Sequence, residues 1–269
     1  IIAEMDRAFS TIGFLLIEGH RVPMTLISKI RQQLIEYFGR SMKEKLAESI
    51  TPDNYRGYIP LGFFSPNIEG KTPDQYEGYK LHCEVAENDP IRSQCDLYGI
   101  NRWPKEPLSL RTAILEYWEV CDRVSRRLLV LLATIMGVDP NWFISLFDYP
   151  LTNMTLLHYP PQTSGWSGYG IHPHKDTDAF TLLFPDKVGG LWIKKRNGNK
   201  WIEVGASGDA MLVNIGDLLE LWSGGYFVST PHKVVNATGA ERYSFPFFVV
   251  PRHDVVVKPL IKPQPGFVR

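Results

Sequence analysis

Metal-binding side chains occur at every second position of one short segment in this 269-residue chain. The segment reads His-Pro-His-Lys-Asp-Thr-Asp from His172 to Asp178, and a further histidine, His232, follows much later. Because a β-strand repeats every two residues, alternate side chains of this segment are expected to point to one face. A neighbouring pair on that face could hold one metal ion together with His232, if the fold brings His232 back to it.

Strand geometry limits which side chains of the segment can share an ion. Residues two apart on one face are about 7 Å apart, whereas residues six apart span roughly 20 Å. One adjacent pair among His172, His174, Asp176 and Asp178 is therefore expected to bind, and the spacing alone leaves the choice open. Two histidines and one carboxylate with open coordination positions form the ligand set of non-haem Fe(II) sites.

The elements that precede this segment are predicted to be mainly helical over residues 1–150. Apolar residues recur at helical spacing from Leu108 to Met136, and Gly137 is placed to end that helix. A short apolar run at residues 13–17 is expected to form a strand. Residues 51–104 are rich in Gly, Pro, Asp and Asn, so long loops are expected there, of the kind that often carry function.

The second half of the chain changes to short β-type runs separated by turn residues. Such a pattern is typical of a sandwich or a barrel. The predicted strands cover residues 152–159, 179–184, 191–194, 201–204, 210–215, 228–235 and 243–250. We expect one domain over residues 1–269, with a catalytic core at 151–250 and a tail at 251–269.

The composition excludes several classes of protein. Lys plus Arg number 29 and Asp plus Glu number 29, so no basic face for nucleic acid is expected. No run of about 18 uninterrupted apolar residues predicts a membrane span. The three cysteines, Cys83, Cys95 and Cys121, lack a CxxC spacing, which argues against a disulfide framework and predicts a reducing, cytoplasmic location.

The order of motifs resembles the isopenicillin N synthase-like branch of the Fe(II)/2-oxoglutarate-dependent oxygenases. That family carries His-x-Asp, a Leu-Thr-Leu-Leu-like strand, an Asn-x-Gly-Asp turn, Ser-Thr-x-His-Arg-Val and Arg-x-Ser in this order. Each element has a match between Thr152 and Val250, with Lys233 where the family usually has arginine. The first half fits more loosely, through Gly13-Phe-Leu-Leu-Ile-Glu-Gly-His and the Asn101-Arg-Trp-Pro loop.

The resemblance implies an α+β fold with a mainly β core, a double-stranded β-helix or jelly roll, and a helical N-terminal support layer. Counted from the Thr-Leu-Leu strand, the family aspartate falls on Asp176. The implied metal ligands are then His174, Asp176 and His232. His172 is left as a structural or supporting residue, and Asp178 as a turn residue.

The resemblance also implies Fe(II) as cofactor, with 2-oxoglutarate and dioxygen as cosubstrates. The far carboxylate of 2-oxoglutarate needs a bidentate cation and a hydroxyl donor. Arg242 and Ser244 have this chemistry, and they share a face because they are two apart on a predicted strand. Tyr159, in a Tyr-Pro segment like that of the family, is the third predicted contact.

The predicted reaction is the oxidation of a small-molecule metabolite, chiefly hydroxylation, with desaturation or ring closure open to the same chemistry. Asn214 and Asp217 are predicted to shape a turn beneath the site rather than to bind metal. The predicted substrate contacts are polar or aromatic residues of the long loop region, namely Tyr79, Lys80, His82, Arg102 and Trp103.

Three alternatives remain open at the level of sequence. One is an oxidase of the same fold that needs no 2-oxoglutarate, because isopenicillin N synthase and aminocyclopropane-carboxylate oxidase also retain Arg-x-Ser. Another is a cupin-like metal-binding or zinc protein that uses His172, His174 and His232. The third is a catalytically inactive binding module, which the intact His-x-Asp and His motifs argue against.

Overall fold

A computed structural model describes residues 1–66, 72–162, 168–194, 198–205, 208–236 and 238–268. Its helices are α1 (Ile2–Thr11), α2 (Met24–Phe38), α3 (Met42–Leu46), α4 (Leu108–Met136), α5 (Pro140–Ser145) and α6 (Asp217–Trp222). Its strands are β1 (Phe14–Ile17), β2 (Gly57–Ile59), β3 (Glu77–His82), β4 (Asn153–Tyr159), β5 (Ile171–His174), β6 (Phe180–Leu183), β7 (Leu191–Lys194), β8 (Trp201–Glu203), β9 (Met211–Ile215), β10 (His232–Val234), β11 (Arg242–Ser244) and β12 (Phe247–Val249).

Two antiparallel sheets form the body of the fold. The larger sheet has the order β1-β9-β6-β12-β4-β3-β2, with β11 also paired to β4, and the smaller has the order β5-β10-β7-β8. Strands that are distant in sequence are neighbours in both sheets, as expected when a chain winds as a jelly roll. The predicted α+β jelly roll with a helical support layer is confirmed.

Alternation along the central strand β4 separates two hydrophobic cores. Met154 and Leu156 point to the helix side, where they join the larger core with residues of α2 and α4. Leu157 and Tyr159 point the other way, into a smaller core between the two sheets. The interior face of the larger sheet is therefore the face that can present side chains to a site between the sheets.

The helical layer follows the sequence pattern closely. The predicted 108–136 helix is observed as α4, and Gly137 ends it in the left-handed region at φ 68°. A residue with a Cβ is strained in that conformation, which is why glycine is favoured there. Tyr117 and Cys121 on the apolar stripe of α4 are fully buried against the sheet.

The expectation of long loops over residues 51–104 is wrong in part. Strands β2 and β3 lie in this region, and β3 pairs with β4 over six residues, from Glu77 opposite His158 to His82 opposite Asn153. The sequence of β3 mixes glycine with charged residues, so local propensity does not reveal it. Pairing with a strand about 75 residues away stabilises it instead.

Other differences are smaller. The predicted 243–250 strand is broken between β11 and β12 at Pro246, because proline has no N–H for the sheet ladder. The short helices α3, α5 and α6 are not indicated by the sequence pattern. The tail packs against the core, where Leu260 N–H donates to Trp222 O and Gln264 N–H donates to Gly224 O.

Among the described residues, no helix combines the length and the apolarity needed to cross a membrane.

Candidate active site

His174, Asp176 and His232 converge at one end of the space between the sheets. His174 and His232 are cross-strand partners on β5 and β10, and their ring centroids lie 4.3 Å apart. Asp176 Oδ1 lies 3.6 Å from His174 Nε2 and 3.4 Å from His232 Nε2. One potential ligand atom of each residue lies within 4.8 Å of the others. Strand β5 ends at His174, so the common strand face predicted for His174 and Asp176 is replaced by a bend after His174.

The two imidazole rings are held with Nε2 facing the centre of the cluster. His174 Nδ1 lies 2.8 Å from His172 O, and His232 Nδ1 lies 3.1 Å from Thr230 O. A backbone carbonyl is only an acceptor, so each Nδ1 donates a proton to its carbonyl and each Nε2 is the nitrogen left to bind a metal ion. This is the state that a metal ion requires of a histidine ligand.

The two carboxylate oxygens of Asp176 have different surroundings: one accepts hydrogen bonds from protein side chains, and the other faces the two histidines of the cluster. Oδ2 accepts from Thr181 Oγ1 at 2.6 Å and from Asn214 Nδ2 at 2.8 Å. Burial alone would raise the pKa of Asp176, but His232 and His174 beside it hold that pKa well below its usual value. Asp176 is therefore ionised, as a ligand must be.

Asn214 was predicted to shape a turn, and the structure places it elsewhere. It lies on β9, opposite Thr181 of β6, and both side chains support the carboxylate of Asp176. Asp217 begins α6, and its N–H donates to Asp176 O at 2.8 Å. Thr181 was not singled out by the sequence. A hydroxyl at an interior position of an otherwise apolar strand was the available signal.

Asp178, predicted to be a turn residue, is a buried neighbour of the cluster. Its Oδ2 lies 2.8 Å from the hydroxyl of Thr181, which also donates to Asp176. Burial, and then the charge of Asp176, raise the pKa of Asp178 well above its usual value. In its protonated form, which the raised pKa favours, Asp178 leaves the hydroxyl proton of Thr181 to Asp176.

His172 is engaged away from the cluster. Its Nδ1 and its backbone N lie 2.6 and 2.9 Å from Asp74 Oδ1. Its ring contacts that of Tyr169, with centroids 4.8 Å apart. His174, rather than His172, therefore lies with Asp176 and His232, and among the described residues no group of three or more metal-binding side chains includes His172.

Arg242, Ser244 and Tyr159 come together beyond the cluster, on the interior face of the larger sheet. Arg242 is opposite Tyr159 in the β11–β4 ladder, and its guanidinium carbon lies 4.7 Å from the centroid of the Tyr159 ring. Arg242 is 2% exposed; its Nε donates to Gly189 O at 2.7 Å, whereas Nη1 is buried without a partner among the described atoms. Burial raises the pKa of Tyr159 to about 12, although Arg242 limits the rise.

An unpaired N–H on a buried guanidinium is costly, so this side of the site is suited to an acceptor from a ligand. The cavity that Arg242 and Ser244 line is small, about 60 Å³, and His174, Asp176 and His232 line it as well. A narrow space with a metal-ligand cluster and a buried cation fits an oxo acid that binds at both ends. The donor set fits Fe(II), because two nitrogens and one carboxylate leave coordination positions open.

A second, larger cavity of about 500 Å³ opens on the other side of the cluster. His174, Asp176 and Phe248 line both cavities. Its volume is within the range of small-molecule sites. A metal ion in the cluster would thus be reached from two directions, by a small ligand beside Arg242 and by a larger one in the open cavity.

Of the five predicted substrate contacts, Lys80 lines the larger cavity and the other four do not. Tyr79 points to the helix side of β3, is fully buried and donates to Arg102 O. His82 is at the end of β3, where both ring nitrogens are buried without partners among the described atoms. Arg102 donates to Ser49 O, and Trp103 donates to Glu84. The alternation of β3 explains the position of Tyr79, which points away from the face that carries Lys80. His82 has the same parity as Lys80 but lies outside the lining of the cavity, and Arg102 and Trp103 lie outside β3.

Comparisons with known proteins agree with this geometry. The model of the 2OG-Fe(II) oxygenase superfamily matches residues 151–251, which include the whole cluster and both cosubstrate-side residues of β11. The model of the N-terminal region of non-haem dioxygenases in morphine synthesis matches residues 1–106. Together the two models span most of the chain.

The names of curated relatives describe enzymes of the same class. The chain is 30% identical to a homoarginine-6-hydroxylase of Glycine max, over 97% of this chain and 80% of the relative. It is 31% identical to a 2-oxoglutarate-Fe(II) type oxidoreductase of Aspergillus fumigatus, over 91% of this chain and 74% of the relative. The fold and the cluster define a non-haem Fe(II) oxygenase. The chain belongs to the 2OG-Fe(II) oxygenase superfamily.

Solved structures extend the likeness to the whole fold. A full-length Neurospora crassa protein solved in complex with alpha-KG has 26% identity and a TM-score of 0.83, with 99% of this chain and 83% of that chain covered. JOX2, solved in complex with 2OG, Fe and JA, has 28% identity and a TM-score of 0.82, with 96% and 73% covered. The cofactors of this chain are Fe(II) and 2-oxoglutarate, with dioxygen as the oxidant.

Proposed function

We propose that this chain oxidises a small-molecule metabolite, chiefly by hydroxylation, with His174, Asp176 and His232 binding Fe(II). Arg242 and Ser244 bind the far carboxylate of 2-oxoglutarate, and Tyr159 contacts the same cosubstrate. The observation that carries this proposal is the position of the cluster. It lies between a narrow cavity that ends at a buried, incompletely paired guanidinium and a larger cavity with room for a substrate.

When bound, the iron would supply the oxidising chemistry, in which 2-oxoglutarate and dioxygen yield succinate and carbon dioxide, with one oxygen atom of dioxygen in succinate and the other transferred to the substrate. The protein contributes binding and orientation. Asp176 is kept ionised and aimed by Thr181 and Asn214, and the carbonyls of His172 and Thr230 orient the two imidazoles.

Arg242 acts as a fixed anchor for the cosubstrate. Its Nε–H is bound to Gly189 O, so the guanidinium cannot turn away from the cavity. Tyr159 beneath it stays a neutral phenol at physiological pH, because its pKa is near 12. Desaturation and ring closure remain outcomes of the same chemistry, because they differ from hydroxylation in the pose of the substrate within about an ångström.

We also infer that both halves act as one domain, because β1, β2 and β3 of the first half pair within the same sheet as the strands of the core. The three cysteines are free, which supports a reducing compartment such as the cytoplasm. Fractionation of the source cells, followed by immunodetection of the protein, tests this location.

The function is tested by loading purified protein with Fe(II) without oxygen, adding 2-oxoglutarate and air, and measuring succinate. Binding of Mn(II) and of 2-oxoglutarate is measured by calorimetry on the same variants. We expect His232→Ala to lose metal binding and succinate formation. The control His253→Ala removes a histidine that contacts Tyr98 and lines neither cavity, and it should behave as wild type.

Arg242→Met should bind Mn(II) normally but bind 2-oxoglutarate at least about tenfold more weakly, because a charge-assisted hydrogen bond is lost. Equal 2-oxoglutarate affinity in Arg242→Met and wild type would refute the role of Arg242. Metal binding that survives in His232→Ala would refute the ligand set. Tight binding of metal without any effect of 2-oxoglutarate on oxygen uptake would favour the oxidase that needs no 2-oxoglutarate.

A further inference from the structure

Lys80 is an ammonium group in the larger cavity without a carboxylate partner among the described residues. It points from β3 to the interior face, where Nζ donates to Asn153 Oδ1 at 2.6 Å and to Thr155 Oγ1 at 3.0 Å. Both partners are neutral. An ammonium has three N–H donors, so one donor of Lys80 is left for another group.

The environment of Lys80 is poor at solvating a charge. Its Nζ lies 5.2 Å from the ring centroid of Phe248, which offers a weak cation–π contact. Burial lowers the pKa of Lys80 to about 8, so the side chain is still mainly protonated at neutral pH. A partly buried cation whose two hydrogen-bond acceptors are both neutral is expected to gain from an anion that binds beside it.

The other charged groups of this cavity already have partners. Lys175 lies 3.1 Å from Glu220, and Asp74 lies 2.6 Å from His172. Asp176 belongs to the metal cluster. Among the described residues that line the cavity, Lys80 is the lysine with no carboxylate within ion-pair distance, although the charges of Asp176 and Asp178 act on it from farther away.

The surroundings of Lys80 also provide an apolar path to the metal. Phe248 contacts the ammonium and lines both cavities. Leu157 of β4 also lines both cavities. Phe64 and Tyr76 add aromatic surface to the wall of the larger cavity. The hydroxyl of Thr155 accepts from Lys80, so its own hydrogen is available as a second donor to the same ligand.

We propose that the substrate is an organic acid whose carboxylate binds Lys80 and Thr155, and whose apolar body lies along Phe248 towards the metal cluster. This inference rests on the proposed function, since it takes the larger cavity as the substrate site. Lys80 is then the residue that selects for an acid, and it also sets which end of the substrate lies away from the metal.

The test compares acids with their uncharged amides. The probes are phenylacetate, 3-phenylpropanoate and hexanoate, each paired with its primary amide. They are titrated by calorimetry into protein that holds Mn(II) and saturating 2-oxoglutarate, so that the Arg242 site is filled and no turnover occurs. In wild type, at least one acid should bind about tenfold or more tightly than its amide, as a charge-assisted hydrogen bond predicts.

Lys80→Met should abolish that preference while 2-oxoglutarate binding stays unchanged. Lys80→Arg should retain part of it. Thr155→Val should reduce it by less than Lys80→Met does, which gives a second test if Lys80→Met folds poorly. The control Lys258→Met removes an exposed lysine outside the cavity and should keep the full preference.

Each outcome bears on a different claim. If wild type binds neither Mn(II) nor 2-oxoglutarate, the proposed function fails. If both bind but no acid is preferred over its amide, only the present inference is overturned. A preference that persists in Lys80→Met also overturns it. Equal weakening of acids and amides in Lys80→Met would assign Lys80 a purely structural role between β3 and β4.

Discussion

Thr181 connects Asp176, the proposed metal ligand, to a buried carboxyl neighbour, Asp178, whose pKa is raised. Its hydroxyl is within 2.8 Å of both Asp176 and Asp178, and Asn214 completes the support from the next strand. Residues that orient a ligand are typically worth 10–100-fold in metal affinity. The strength of this site therefore depends on side chains that do not touch the metal.

Thr181→Val keeps the shape of the side chain and removes the hydroxyl. We expect the affinity for Mn(II) to fall about 10–100-fold, because Asp176 loses a donor and faces Asp178 directly. Calorimetric titration measures the change. The matched control is Thr134→Val, at an exposed threonine of α4 whose hydroxyl donates to Val130 O, and it should bind Mn(II) as wild type does. Unchanged affinity in Thr181→Val would show that Asn214 alone orients the carboxylate.

The helix layer is joined to the larger sheet by a buried polar network. Glu77 of β3 accepts from Lys45 of α3 at 2.7 Å and from Tyr58 of β2, and it lies 2.8 Å from His158 Nδ1 on β4. Lys45 is 4% exposed and Glu77 is 5% exposed. Removal of one member of a buried pair leaves the other charge without compensation, which is strongly destabilising.

Lys45→Met should lower the free energy of unfolding by about 3–5 kcal/mol, as found for broken buried ion pairs. Urea denaturation measures it. Arg126→Met removes a cation from the exposed pair with Asp122 on α4, and it should cost less than about 1 kcal/mol. Similar losses in the two variants would mean that the network contributes no more than a surface pair.

The same network predicts that the free energy of unfolding depends on pH in the acid range. Burial raises the pKa of Glu77, but hydrogen bonds from His158, Lys45 and Tyr58 outweigh burial, so the pKa is lowered from 4.5. A lowered carboxyl pKa contributes stability that is complete above about pH 4.5 and is lost as pH falls through the folded-state value. The difference in unfolding free energy between wild type and Glu77→Gln should therefore shrink below about pH 4.5. A difference that stays constant down to pH 3 would contradict this.

In the whole molecule, the side chains proposed to bind metal and cosubstrate lie between the two sheets. His174 and His232 come from the smaller sheet, whereas Arg242 and Tyr159 come from the larger one. Metal and cosubstrate would thus connect the two sheets and bind the folded state only. Ligands of this kind stabilise by mass action.

At 100 times its Kd, 2-oxoglutarate added to Mn(II)-loaded protein should contribute about 2.7 kcal/mol. For a chain of this size that corresponds to a rise in Tm of about 5 °C or more. Differential scanning fluorimetry measures it. Arg242→Met at the same concentration should show a much smaller rise. An equal rise in the variant would mean that 2-oxoglutarate stabilises the protein from another site.

The sequence by itself determined the chemistry of the site and the class of the fold. Residue type and local spacing do not depend on the tertiary fold. This applies to the side chains of His174, Asp176 and His232 and to the i, i+2 spacing of Arg242 and Ser244. The α4 helix and its end at Gly137 were predictable for the same reason, since helical periodicity and a left-handed cap are properties of neighbouring residues.

Which side chains lie in contact was decided only by the tertiary structure. Asp74 binds His172 and so removes it from the metal cluster, although the two residues are 98 positions apart. Lys80 reaches the larger cavity only because β3 pairs with β4, while Tyr79 next to it points to the helix layer. Contacts of this kind depend on which distant strands pair, and local periodicity indicates which face of a strand is buried but not which strand lies beside it.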